Sequence, residues 1–419
     1  MRATILVILP FALWIGCSSS SSTDSPGGVG GGGGSDAGAT FDGDINGGDG
    51  GTTITTPDGG TFSAGNPDGS CSTGIPAGGL PVDVSHPATV VGTGDATGCT
   101  FDALNTAVSA GGIITFNCGS AATTIAVTAT LNLPTNKDTV IDGGKKITLD
   151  GGGAVEVLRF DSPGFGTNES RLTLQHIAIV GGKTTPTDQI PTGRPAACSQ
   201  GYDDGEGGGL YMRDGNLTII DSIFASNQAA LLGPDTGGGG FYLVGSKHGA
   251  LVVSSTFQNN QAANGGGFGS LFAEIDVYDS LFTNNVATGH DANNVDQTAG
   301  HTQCPDMNNG QYELGSGGNG GALYNDGATD QNTGIVHNIV LCGDKIVSNN
   351  AGTNAFGGGV FFTSNDYSGT LSFIDVDMQG NTGGHWTNVK EGSVTNAGDA
   401  VGTNAKSITI TNSSIQGVP

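Results

Sequence analysis

Asp203, Asp204 and Glu206 place three carboxylates within four positions. Such a set suits Ca²⁺, a hard cation that takes about six to eight oxygen ligands. On an acidic chain the same cluster also suits a solvated loop. His290, His301 and Cys304 offer nitrogen and sulfur to zinc, but their spacing is irregular for such a site. Tyr211, Tyr242, Tyr324 and Phe361 each follow a glycine-rich turn by the same interval. Strand alternation aims these rings outward if Leu210, Phe241, Leu323 and Val360 face in. A bare row of rings would stack sugar faces; insertions folded over it would bury it, and large apolar patches usually find cover. No Walker loop, HExxH, CxxC pair or Gly-x-Ser-x-Gly elbow occurs. Gly92, Gly94 and Gly98 have the wrong spacing for a dinucleotide loop, and no βαβ unit follows.

The elements that must position these residues are repeats. A glycine turn leading into an apolar pair recurs at Gly207–Tyr211, Gly238–Tyr242, Gly265–Phe268, Gly320–Tyr324 and Gly357–Phe361. Each copy is followed by an apolar residue and, three later, an asparagine: Phe224/Asn227, Phe257/Asn260, Phe282/Asn285, Ile346/Asn349 and Met378/Asn381. Short β-type runs lie between, among them Leu217–Ile220 and Leu251–Val253. Repeated short strands without helical periodicity predict a solenoid of β coils. Stacking brings equivalent residues about 4.8 Å apart. The apolar set should therefore form an inward ladder, and the asparagines a corner ladder that bonds otherwise orphaned backbone. Glycines should supply the tight turns. Two insertions, about 184–206 and 287–318, interrupt the repeat at equivalent places, so both should leave one corner and wall a groove.

Composition narrows the partners. The chain has 419 residues with 77 glycines, no collagen period, and a formal net charge of −25. That charge repels phosphate backbones and anionic headgroups, so nucleic acid is not expected. Met1–Arg2 and the apolar run Ala3–Gly16 form a signal-peptide core too short to span a bilayer. Leu13-Trp14-Ile15-Gly16-Cys17 resembles a bacterial lipobox, although Trp14 stands where that motif prefers leucine. The resemblance implies acylation of Cys17, with membrane contact through that lipid alone. From 18 to 80 the sequence is mostly Gly, Ser, Thr and Asp, which predicts a disordered tether. The organisation is then 1–17 signal and lipobox, 18–80 tether, and 81–419 repeat.

The GG[GA]-apolar and Phe-x-x-Asn motifs resemble those of polymorphic outer membrane proteins and related pectate-lyase-like surface proteins. Cys99–Leu104, Gly111–Cys118 and Val140–Gly144 resemble their first coil and cap, and the likeness spans roughly 81–419. It implies an all-β chain, a single right-handed parallel β-helix with a short N-terminal capping helix. In that family a membrane barrel ends the chain; here a lipid anchor is expected instead, with the protein in the bacterial cell envelope, anchored to the outer membrane, or secreted. Phe101, Leu104, Ala107 and Val108 share one helical face suited to capping. A Cys99–Cys118 disulfide would staple that cap, contributing about 3 kcal/mol in the chain-entropy model. Cys71, Cys198, Cys304 and Cys342 cannot be paired from sequence. The expected role is non-catalytic adhesion or glycan contact at the cell surface. The alternative is a Ca²⁺-dependent polysaccharide lyase or glycoside hydrolase, in which Asp203, Asp204 and Glu206 hold the ion. In it Arg213, Lys247 or Lys345, the basic residues of the central repeat, removes a ring proton.

Overall fold

The computed structural model describes residues 64–184, 205–233, 236–290, 317–327, 338–353, 355–364, 368–383 and 405–416. It also describes the short strands Thr53–Thr55, Thr61–Ser63, Cys304–Pro305, Tyr312–Glu313, Thr329–Asp330, Ile335–Val336 and Val401–Thr403. All belong to one compact unit, Gly47–Pro419. Among these residues the chain is all-β, with long sheets of parallel strands and one α-helix, Phe101–Ala110.

The strands repeat as three-walled coils. One coil runs through Asn216–Ile220 on the first wall, Ile223–Ala225 on the second and Phe241–Val244 on the third. The third wall holds eight strands from Leu131–Asn132 to Val401–Thr403, so eight coils are counted here in chain order. Strand Thr139–Asp150 turns between the first two walls at an irregularity between Asp142 and Ile147. That bend joins two walls into one pairing network without making a barrel. Every pairing between successive coils is parallel, and the central ones keep strict register: Phe224 lies beside Phe257, Phe257 beside Phe282, Phe282 beside Ile346, and Ile346 beside Met378.

That register stacks like on like. The inward ladder is fully buried, and the Phe224, Phe257 and Phe282 rings stack at 5.2 and 5.0 Å. Phe241 and Phe268 of the third wall stack at 4.5 Å and meet them edge-on at 5.3–6.3 Å. Such offset and edge contacts add to simple area burial.

The asparagine ladder forms as expected and is fully buried. Each Nδ2 donates to the Oδ1 of the next coil's asparagine at 2.9–3.0 Å, from Asn227 through Asn381. The same Oδ1 accepts the backbone N–H of the asparagine before it. The second Nδ2 hydrogen serves a carbonyl of the inward ladder, such as Asn260 to Phe224 and Asn285 to Phe257. A buried amide is thereby satisfied on every side, which is the condition for its presence in a core.

Glycine has the expected place at one corner: Gly207, Gly238, Gly265, Gly320 and Gly357 have φ of 57–71°. The other corners reach the same left-handed region mostly without it, with Gly343 in the first of the rows that follow and Gly181 and Gly380 in the second. His176, Asp221, Ser254, Asp279, Asp375 and Asn412 form one such row, and Ser226, Asn259, Asn284 and Ser348 another. Short polar side chains tolerate this conformation best. A serine ladder accompanies the first row: Ser222 N–H donates to Ser255 Oγ, Ser255 N–H to Ser280 Oγ, and Ser280 N–H to Asp344 Oδ1.

The cap is as expected. Leu104, Ala107 and Val108 are buried and Phe101 half-buried; Thr100 Oγ1 accepts from the Ala103 N–H at the helix start. Cys99 and Cys118 are bonded. The tether expectation needs correction over 64–80, which is docked on the first two walls and the corner between them. Gly65 N–H donates to Thr256 Oγ1 and Asn66 Nδ2 to the Gly343 carbonyl. The Cys71 N–H is bound by Asp279, and the Ser72 N–H by Asp375 at 2.8 Å. Cys71 is disulfide-bonded to Cys342, 271 residues away. Low hydrophobicity alone would leave this segment loose; corner aspartates and a covalent bond supply what apolar burial does not. Closing so long a loop stabilises by about 5 kcal/mol in the chain-entropy model.

Phe257 is the residue on which both stacks converge, so Phe257→Ala should cost about 3–5 kcal/mol. A denaturant melt that leaves this variant within error of the parent would refute the ladder packing.

Candidate functional site

The two insertions leave the corner between the second and third walls, as expected. Thr184 and Gly205 flank the first, in coil 3, and their backbones bond Gln228 and Ala230. Gly289 and Gly318 flank the second, in coil 6, and both N–H groups donate to the Ala263 carbonyl. A shallow depression of about 500 Å³ lies at this corner, lined by Thr288, His290, Asn350 and Thr353 among others. The insertions' own segments, including Asp203, Asp204, Cys198 and His301, lie outside the described residues, as does Cys17. So does the side chain of Cys304.

The aromatic row requires correction. Tyr211, Tyr242 and Tyr324 do point away from the inner ladder, but they are at most 4% exposed, and Phe361 is half-buried. They build a second apolar layer on the outer face of the third wall. Tyr211 and Tyr242 pack with Val244 and Leu271, beside Phe165 and Phe272. Tyr324 stacks on Phe361 at 5.3 Å, and its hydroxyl donates to Asp326 at 2.9 Å. Gly269 falls between Tyr242 and Tyr324 in the register; a Cβ there would meet the Tyr242 ring at 2.9 Å.

The cover is partly a loop that sequence reading did not single out. Residues 162–170 connect the third wall of coil 2 to coil 3 and carry Phe165, whose ring meets Phe272 edge-on at 5.7 Å. Asp214, itself buried, holds this loop by accepting the Thr167 and Asn168 N–H groups at 2.6 and 3.0 Å and the Ser162 hydroxyl at 3.1 Å. The Pro163-Gly164-Phe165-Gly166 run marks a loop in the sequence, but nothing local says where its ring docks.

At the edge of this layer the chemistry turns polar. Arg159 lies 4.6 Å over the Tyr211 ring and forms a two-point ion pair with Glu156 at 2.8 and 3.4 Å. Asp161 completes its surroundings at 3.7 Å. Burial, with help from the carboxylates of Glu206 and Asp161, pushes the Tyr211 phenol far above its ordinary value. Glu206 is buried here. Arg213 stands on the same strand, half-buried, with a buried Nε that has no hydrogen-bond partner among the described residues.

The three basic candidates are not brought together. Arg213 ends a third-wall strand in coil 3. Lys247 lies beyond the end of coil 4's third-wall strand and pairs with Glu169, which also meets His248 at 2.8 Å. Lys345 begins a second-wall strand in coil 7 and pairs with Asp68. Among the described residues no group of three or more His, Cys, Asp or Glu side chains is placed to hold a metal. The calcium trio itself is described only at Glu206.

A second polar cluster, missed in the sequence, sits at the first corner. Asp142 accepts from Gln175 Nε2 at 2.7 Å and from the Gly144 N–H at 2.7 Å, and meets His176 Nδ1 at 3.2 Å. Burial pushes this carboxyl up, but the bonds from His176, Gln175 and Gly144 outweigh it and hold it below the ordinary range. Asp142 also lines a cavity of about 300 Å³ with Thr115, Phe116 and Lys146. No protein-family model, curated protein or solved structure matches the chain. Among the described residues no helix is long and apolar enough to cross a membrane.

On the outer face of the first wall, Asp276 takes the slot that Leu251 and Val340 hold in adjacent coils. Burial, with Glu274 nearby, pushes its carboxyl up to about 7, and its Oδ1 has no hydrogen-bond partner. A folded-state value above the unfolded one, about 4, means stability is full below pH 4 and is lost as pH rises through about 7. Asp276→Asn should remove that loss, so its advantage over the parent in melting temperature should grow from pH 4 to pH 8. An advantage that is flat with pH would contradict the assignment.

Proposed function

We propose that this chain is a lipid-anchored, non-catalytic display module of the cell envelope, built on a right-handed parallel β-helix of pectate-lyase-like type, that contacts glycans. Parallel crossover connections are almost always right-handed, which supports the hand. The GG[GA]-apolar and Phe-x-x-Asn repeats support the kinship. Cys17 would carry the lipid at the outer membrane; the alternative is a secreted protein.

One observation carries the non-catalytic reading: Lys247 and Lys345 are engaged by Glu169 and Asp68, on different coils, with Arg213 on a third. A proton-abstracting base needs reach to one substrate position, and these three do not share one. With the tyrosines serving as core, glycan contact falls to the second–third wall corner, which carries the depression and from which both insertions leave. The formal charge of −25 favours neutral over strongly anionic glycans unless cations mediate, and disfavours nucleic acid.

A second reading keeps one specific support. Arg213 is half-buried and carries an unpartnered Nε beside Tyr211 on the strand that follows Glu206. With Ca²⁺ held by Asp203, Asp204 and Glu206, it would be the base of a polysaccharide lyase.

The full chain, with a panel of neutral and acidic polysaccharides and millimolar Ca²⁺, separates the two. Binding without new ultraviolet absorbance or new reducing ends is expected. Ca²⁺-dependent unsaturated products lost in Arg213→Ala would instead establish the lyase. Cys17→Ser should release the protein from the membrane fraction; a variant that still sediments after salt washing would remove the lipid anchor.

A further inference from the structure

The docked segment 64–80 does not lead straight into the first coil. Its path runs far along the corner between the first and second walls and returns. Ala64 packs with Ala178, Val180, Ile223 and Ala225 of coils 3 and 4. Gly65 then bonds Thr256 in coil 5, and the Asn66 N–H bonds the Asp279 carbonyl in coil 6. Asp68 pairs with Lys345, and Cys71 is joined to Cys342, both in coil 7. The farthest contact is from Ser72 to Asp375 in coil 8. The chain then comes back over Leu251 and Val253 at Gly79. It exchanges two hydrogen bonds between Val82 and the Gln175 side chain in coil 3, before entering coil 1.

We propose that this strap is a load clamp: once the non-covalent contacts of residues 64–68 yield, tension applied from the N-terminal side enters the solenoid at coil 7 and bypasses coils 1 to 6. Its purpose rests on the tethered reading above; its mechanics do not. A coil at the end of a stack is held on one side only, so a pull on coil 1 would peel coils off one at a time, each with few bonds under load. The Cys71–Cys342 bond closes a loop around residues 72–341, and those residues feel no tension while it stands. The strap suits the task because it is not part of the main core: no residue from 64 to 80 belongs to the principal apolar cluster. It can therefore shift under load without opening the coils beneath.

The test is single-molecule stretching of the full chain held at its two ends. With the disulfide intact, full extension should fall short of the thiol-treated chain by the 271-residue separation of the two cysteines, about 90–100 nm at roughly 3.3–3.6 Å per residue. After thiol treatment of the folded protein, or in Cys71→Ser, coils 1 to 6 should yield one at a time, adding steps the length of single coils that the oxidised chain lacks. Equal extension in both states would show that the bond carries no load. The same number of coil-length steps in the thiol-treated and oxidised chains would show that the early coils are not shielded. Either result overturns the proposal, and neither bears on whether Cys17 is acylated, which the membrane-fraction experiment decides separately.

Discussion

The in-register stacking of coils is the constraint on which everything else in this protein depends. Once one coil pairs with the next in parallel, each side chain must face its own equivalent, so a residue is tolerated only if it can pack or bond with a copy of itself. Phenylalanine does so by stacking, and asparagine by passing an amide hydrogen to the next amide oxygen. At the second corner the asparagine ladder spends its whole capacity on the neighbouring asparagines and on two backbone groups. Because removing one partner of a buried hydrogen bond costs about 1–3 kcal/mol, a single break in that ladder penalises two coils together.

The same rule explains where the stack is least at ease. In the serine ladder Asp344 replaces a serine; one carboxylate oxygen continues the chain of bonds to Ser280, while the other is buried without a partner. Burial raises this carboxyl well above the ordinary range. Asp344 adjoins the Cys342 disulfide and Lys345, so the coil that receives the strap is also the coil whose ladder is irregular. Inside the third wall Asn325 donates to Ser270 and to the Ala273 carbonyl, yet its Oδ1 lacks a partner. Both departures fall in coils 6 and 7, next to the second insertion.

Much of the fold was legible because a solenoid writes its geometry as repetition. The Phe-x-x-Asn interval placed one buried ladder and one corner, and the glycine turns placed another. The serine ladder was equally visible in Asp221-Ser222, Ser254-Ser255 and Asp279-Ser280, two residues before each aromatic, but hydroxyls read as solvent-facing when no bonding partner is in view. The tyrosine row shows the opposite failure. Alternation gave its direction correctly, but outward does not mean exposed once a loop more than forty residues earlier in the chain folds over it, as Phe165 does. The strap was illegible for a different reason. Its composition is that of a tether, and its order comes from partners 191 to 303 residues away.

The claim that shared side-chain ladders bind the coils into one body is tested most directly by hydrogen exchange on Asn285→Leu. Asn285 receives the Asn260 amide and backbone N–H, and donates to Asn349 and to the Phe257 carbonyl. The account predicts that protection falls together in coils 5, 6 and 7, while the cap helix Phe101–Ala110 exchanges as in the parent. Loss of protection confined to the substituted residue's own corner, with Asn260 and Asn349 unaffected, would contradict it.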